Sequence, residues 1–133
     1  MLKAILCVDD EKIILDSLYA QFVRAFGNQF IYEAAESVEE AWEVIDELVE
    51  SGCKLILIIS DWLMPNVKGD QFLKEVHEKW PDIVKILLTG YADNHALERA
   101  KELANIYCII QKPWNADELI GQINKALAYS YEQ

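Results

Sequence analysis

A chain of 133 residues is the size of one domain, and a composition of 53% hydrophobic and 26% charged residues supplies a packed core and excludes a disordered chain. Twenty-three acidic against twelve basic residues leave a net charge of -11, a field that repels phosphate backbones and anionic lipids and argues against direct nucleic-acid or membrane binding. The longest apolar runs, such as Leu55 to Ile59, fall far short of the roughly 20 residues that cross a bilayer; Met1 to Ala4 also lack a secretory signal's apolar region, so a cytoplasmic location is expected.

In chain order, the first apolar run, Ala4 to Val8, leads into helical spacing with Ile14, Leu18, Phe22 and Ala25 on one face. A second run, Phe30 to Ala34, precedes Ser37 and Glu40, which form a capping box. The helix it starts carries Val38, Ala41, Trp42, Ile45, Leu48 and Val49 on one face, and Gly52 is placed to end it. The third run, Leu55 to Ile59, is followed by a loop from Trp62 to Gly69 and a helix striped with Phe72, Leu73 and Val76, which Pro81 closes. After the fourth run, Val84 to Leu88, a helix presents Ala96, Leu97, Ala100 and Leu103. Behind the fifth, Ile106 to Ile110, Asn115 and Glu118 cap a helix with Leu119, Ile120, Ile123 and Leu127 inside.

Most of these runs are rich in Ile, Val and Leu without polar alternation, as in strands covered on both faces. Strand and helix alternate five times, which predicts a doubly wound α/β sandwich spanning 1–133. In such sheets ligands bind beyond the carboxyl ends of the strands. Those ends read Asp9-Asp10-Glu11, Asp61, Thr89-Gly90 and Lys112-Pro113.

Three carboxylates at neighbouring strand ends repel one another unless a cation compensates them. With oxygen donors and no His or Cys at those ends, the pattern favours a hard ion such as magnesium over zinc. Lys112 adds a positive charge and Thr89 a hydroxyl, so the cluster has what phosphoryl transfer to a carboxylate needs. Asp61, after the strongly apolar third run and before a loop, is the best nucleophile; Asp9 and Asp10 sit better as metal ligands.

The stretches Ile5-Leu6-Cys7-Val8-Asp9-Asp10-Glu11, Ser60-Asp61-Trp62-Leu63-Met64-Pro65, Gly69, Leu87-Leu88-Thr89-Gly90 and Lys112-Pro113-Trp114, in this order and spacing, resemble the receiver domains of two-component response regulators over almost the whole chain. The resemblance implies a flavodoxin-like (βα)5 fold with a parallel sheet of order 2-1-3-4-5. It also implies a signalling switch, not a metabolic enzyme, whose own chemistry is self-phosphorylation and slow autodephosphorylation. Asp61 becomes the phosphoacceptor, served by a sensor histidine kinase or phosphotransfer protein. Asp10 binds Mg2+ (or Mn2+) directly, Asp9 largely through water, with the Leu63 carbonyl completing the protein ligands. Thr89 and Lys112 hold the phosphoryl oxygens, and Pro113 follows a bond that is usually cis in the family. An output domain or a homodimer through the fourth helix, fifth strand and fifth helix is implied too; the sequence stops at Gln133 and leaves open a stand-alone regulator or part of a longer one.

The chain departs from the family in one place: the switch aromatic three residues before the lysine is replaced by Ile109. Tyr107, two positions earlier, has the same strand parity and is expected on the same face. Leu63, two past Asp61, cannot hydrogen-bond a hydrolytic water through its side chain, and Tyr91, two past Thr89, is bulky enough to cover the approach, so both are expected to lengthen the phosphoryl lifetime. Thr89-Gly90-Tyr91-Ala92-Asp93 with Lys112-Pro113-Trp114-Asn115 further resembles receivers fused to HD-GYP phosphodiesterases or hydrogenase-type activators.

Two rival readings are a docking pseudo-receiver, which would lack an acid or the lysine, and a haloacid dehalogenase-type phosphatase, which uses a D-x-D motif where Asp9 and Asp10 are adjacent. Elsewhere, His77 and His95 read as solvated, Trp42 as core, Trp80 as a helix-end residue, and Trp62 and Trp114 as pocket rim. The acidic run Glu36 to Glu50 reads as a solvated helix face. Cys7, Cys53 and Cys108, odd in number and without a C-x-x-C pair, read as reduced thiols.

Overall fold

The computed structural model describes residues 2–62, 69–90 and 94–132, with the side chains of 70, 94, 96 and 129–132 also left aside. Strands β1 (Lys3–Val8), β2 (Ile31–Ala35), β3 (Lys54–Asp61), β4 (Val84–Thr89) and β5 (Cys108–Gln111) alternate with helices α1 (Lys12–Phe26), α2 (Val38–Glu50), α3 (Gly69–Lys79), α4 (Asn94–Ala104) and α5 (Ala116–Glu132). All strand pairs are parallel, in the order β2-β1-β3-β4-β5. This is the flavodoxin-like sandwich with the expected order, and its switch point lies between β1 and β3.

Alternation along the strands builds two cores. Leu6, Val8, Ile58 and Leu87 pack with Ala41, Ile45, Phe72, Val76, Leu97 and Ala100 of α2, α3 and α4. Ile5, Cys7, Leu57, Ile59, Ile86 and Leu88 pack with Leu18, Phe22, Leu119 and Ile123 of α1 and α5. The capping box forms in altered shape: the Glu40 amide donates to Ser37 Oγ at 3.1 Å, while the Glu40 carboxylate accepts from Glu36 N at 3.2 Å. Asn115 caps α5 by accepting from Glu118 N at 3.1 Å, and Gly52, at φ 77, follows α2 as expected of a C-terminal glycine.

Several expected core positions face solvent. The buried stripe of α1 runs through Leu15, Leu18, Phe22 and Phe26, leaving Ala25 exposed. Val49 is 54% and Leu103 62% exposed, because the 3.6-residue period carries the buried line through Leu48 in α2 and Ala104 in α4. The Ala96 side chain lies outside the described set. Strand β5 starts at Cys108, two residues later than expected, because Asn105 turns the chain at φ 52 and Ile106 N still donates to Lys101 O of α4. In the same way the short 3-10 turn Gly27–Gln29 delays β2 to Ile31.

Candidate functional site

The first strand delivers Asp9 to the switch point, where the Asp9 amide donates to Ala35 O at 3.1 Å and continues the sheet ladder. The Asp9 side chain is fully buried, and its Oδ1 accepts from Glu11 N at 2.8 Å, a local turn that fixes the carboxylate as α1 begins. Asp10 points outward and is exposed. Asp61 ends β3 with 6% exposure. Oxygens of Asp9, Asp10 and Asp61 all lie within 4.8 Å of one another.

Lys112 closes the cluster from the end of β5. Its Nζ donates to Asp9 Oδ2 at 2.8 Å and stands 3.3 Å from Asp61 Oδ1. The backbone aims it: Lys112 N donates to Thr89 O at 2.8 Å, and the Lys112–Pro113 peptide is cis. Thr89, 1% exposed, ends β4 beside Asp61's strand.

Burial pushes the Asp61 carboxyl up to about 6, with Asp9 raising it further, Lys112 opposing the rise and Asp10 adding to it. Burial alone disfavours the Lys112 ammonium, but its hydrogen bond to Asp9 and the charges of Asp61 and Asp9 leave its pKa raised. One lysine thus offsets only part of the repulsion among three acids. The donor set is all oxygen, converging and under-neutralised, which fits a hard divalent cation such as Mg2+.

Gly69 is a site residue whose physical role was not read from the sequence. A Cβ there would lie 1.8 Å from the Asp61 carbonyl oxygen and 2.8 Å from its carbon, and Gly69 N donates to Trp62 O at 2.7 Å. The signal was a glycine opening a helix, a position with no helix-forming merit of its own. Ser60 Oγ also donates to Asp61 O at 3.0 Å, holding the same carbonyl.

Other expectations are corrected. Trp62 is not a rim residue: at 4% exposure it belongs to the core under α2, α3 and α4, because its amide extends the ladder to Leu88 O and turns the ring inward. Trp114 is half-buried and donates to Gln21 Oε1 at 2.8 Å. Tyr107 and Ile109 do not share a face: Ile109 packs on the α2–α4 core and Tyr107 on the α1/α5 core, since Tyr107 precedes the strand and its parity. His77 is half-buried with Nδ1 lacking a hydrogen-bond partner, whereas His95 is exposed. Leu63, Met64, Pro65 and Tyr91 lie outside the described residues. The three cysteines are free.

A flavodoxin-like sandwich with three acids at its strand ends and a lysine beside them defines a class of α/β signalling domain. Residues 5–124 match the response regulator receiver domain. The chain belongs to that family, whose members are signalling switches of two-component systems. It is 35% identical over 123 residues to the hydrogenase transcriptional regulatory protein HoxA of Cupriavidus necator, covering 92% of this chain and 24% of that protein. The signal receiver domain of an HD domain-containing protein from Pseudomonas fluorescens Pf-5 superposes with a TM-score of 0.87 at 25% identity, covering 100% of both chains. The beryllofluoride-activated NtrC4 receiver domain dimer superposes with a TM-score of 0.82 at 27% identity, covering 96% of this chain and 98% of that one. The chain thus spans about a quarter of the curated relative's length. No helix among the described residues is long and apolar enough to cross a membrane.

Proposed function

We propose that residues 1–133 form one phosphorylatable receiver domain in which Asp61 takes a phosphoryl group from the phosphohistidine of a sensor histidine kinase or phosphotransfer protein. The observation that carries this reading is Lys112 Nζ lying between Asp9 and Asp61, at 2.8 and 3.3 Å, with Asp10 completing a cluster of acid oxygens. An Asp61 carboxylate oxygen attacks phosphorus, the P–N bond breaks, and the imidazole leaves with the electron pair and then takes a proton. Asp9, Asp10 and Asp61, with the Leu63 carbonyl, would hold Mg2+ (or Mn2+), which supplies charge neutralisation for the incoming phosphoryl oxygens.

Lys112 then exchanges its bond to Asp61 for one to a phosphoryl oxygen, and Thr89 donates its hydroxyl to another. Asp9 stays anchored by the Glu11 amide, so the lysine is aimed from one fixed side. Slow hydrolysis of the acyl phosphate, governed in part by Leu63 and Tyr91, resets the switch. The setting is cytoplasmic, and the altered surface of α4, β5 and α5 acts on an output domain or a second receiver. The beryllofluoride-activated NtrC4 receiver is a dimer, which supports that last point by similarity.

Incubation with acetyl phosphate and magnesium, followed by intact-mass and peptide mass spectrometry, tests the proposal. One phosphoryl group is expected on Asp61, and persistent labelling of Asp61→Asn would remove Asp61 from the role.

A further inference from the structure

At the amino-terminal ends of β3 and β4, the opposite edge of the sheet from Asp61, the end of α2 and the turns after α3 and α4 line a partly open cavity of about 1010 Å³. That size accommodates a small metabolite. Its apolar wall includes Ile45, Trp80, Ile83 and Ile106. Lys54, Lys79 and Lys85, three of the chain's twelve basic residues, line it against one acid, Asp82. In a chain of net charge -11 this is a local concentration of positive charge.

Lys85 is the decisive residue. Strand β4 is buried throughout, and Lys85 occupies a core position on the side that Leu87 gives to α2, α3 and α4. It is 1% exposed, and its Nζ donates to Ile83 O at 2.8 Å. Among the described residues it forms no ion pair. An ammonium has three donors, so one carbonyl leaves donors over. Burial draws the amine down to about 8 although Asp82 opposes the shift; burial and then the Lys85 charge hold the His77 imidazole below its usual value. The bond to Ile83 O offsets part of the desolvation cost that an aliphatic side chain of similar length would avoid, and it leaves the other donors for an anion.

We propose that this cavity binds a small organic carboxylate carried on a flat apolar body. Lys85 Nζ takes the carboxylate, and Trp80 and Ile106 flank the body. Lys79 belongs to the rim: it is exposed, and its Nζ stands 5.0 Å from the Trp42 ring centre and 5.9 Å from that of Trp80. One buried ammonium matches the single charge of a carboxylate better than the double charge of a phosphate.

Titration of the isotope-labelled chain with 2-naphthoate, followed by amide NMR, tests this, with 2-naphthylmethanol as the neutral counterpart. Shifts are expected at Lys54, Ile83, Lys85 and Ile106 and not at Asp9, Asp10 or Thr89. Lys85→Met should fold and lose about tenfold or more in naphthoate affinity, the effect of removing a charged hydrogen bond. The double variant Lys54→Gln, Lys79→Gln, on exposed positions, keeps the test open if Lys85→Met fails to fold, and should also weaken naphthoate binding. Equal affinity for the alcohol, shifts confined to other surfaces, or naphthoate binding undiminished in the folded variants would overturn the proposal.

Discussion

Lys112 and Asp9, 103 positions apart in sequence, form the short ion pair of the site at 2.8 Å, tighter than the 3.3 Å between Lys112 and Asp61. The lysine is thus held by the acid that is fully buried, and Asp61 keeps the looser contact, the one that a phosphoryl group would displace under the proposed phosphorylation.

Removing that lysine leaves Asp9 buried with only the Glu11 amide to compensate it among the described residues. Lys112→Met is expected to cost about 3 kcal/mol at neutral pH, the lower end for breaking a buried pair because the Lys112 side chain is 16% exposed. The raised Lys112 pKa makes this stabilisation fully present at neutral pH and lost only as pH rises through the folded value above the ordinary lysine range. Urea unfolding of both proteins measures the difference; identical midpoints would mean that the pair contributes nothing.

Replacing Asp61 is expected to have the opposite effect on stability. Its carboxyl is raised to about 6, so folding favours its neutral form, and that contribution is lost as pH climbs from the ordinary carboxylate range through about 6. Without divalent cations, Asp61→Asn should therefore be more stable than the parent above pH 6, by up to about 3 kcal/mol, and the gap should shrink towards about pH 4. Added magnesium should stabilise the parent chiefly and narrow the gap. Thermal melts across pH, with and without the ion, check both, and a gap independent of pH would contradict the burial account.

The two acids ahead of α1 differ in exposure, and their variants should differ accordingly. Asp10 is exposed beside the cluster, whereas Asp9 is already bonded to Lys112 and Glu11 N. Asp10→Asn is expected to weaken magnesium binding more than Asp9→Asn, as direct coordination loses more than a water-mediated contact. Fluorescence of Trp62, next to Asp61, is a suitable reporter; equal losses would remove the distinction.

Two glycines make a matched pair. At Gly69 an added Cβ meets backbone atoms of Asp61, while at Gly121, inside α5, it meets nothing within 4 Å. Gly69→Ala should destabilise the fold by about 1–3 kcal/mol as in other overpacked sites and impair phosphorylation at Asp61, whereas Gly121→Ala should stabilise by about 1 kcal/mol. Calorimetry and acetyl-phosphate labelling of both variants test the contrast.

The doubly wound sandwich, both helical layers and the meeting of Asp9, Asp10, Asp61 and Lys112 were legible because strand periodicity, parallel crossovers and the strand-end rule are properties of local pattern, whereas the sheet order came only from the family resemblance. What was not legible depended on approach between distant backbones or on drift of phase. Leu103 and Val49 fit an apolar stripe by spacing, yet Ala104 and Leu48 take the buried line. Trp62 looked like rim because it follows the candidate nucleophile Asp61, but the ladder to Leu88 turns it into the core. Lys85 stood in plain view inside an apolar run; reading that run as uniform hid a buried ammonium.

The same failure of parity bears on how the signal leaves the site. Ile109 occupies the place three before Lys112, and it packs on the α2–α4 core, while Tyr107 packs on the opposite core with its amide donating to Lys85 O at 2.7 Å. No aromatic ring stands at the Ile109 position to rotate inward as Thr89 moves. A backbone connection is present: Thr89 O accepts from Lys112 N at 2.8 Å, and Leu88 and Thr89 are in register with Ile110 and Gln111. If Asp61 is phosphorylated as proposed, drawing Thr89 and Lys112 towards the phosphoryl group would pull on the end of the β4–β5 ladder and bias an existing equilibrium. Beryllofluoride, as a phosphoryl mimic, should change hydrogen exchange in β5 and α4. Tyr107→Leu should leave that pattern in place, although it lowers stability, whereas a pattern abolished by Tyr107→Leu would show that the ring carries the signal from its opposite face. Changes confined to residues next to Asp61 would show that the ladder does not carry it.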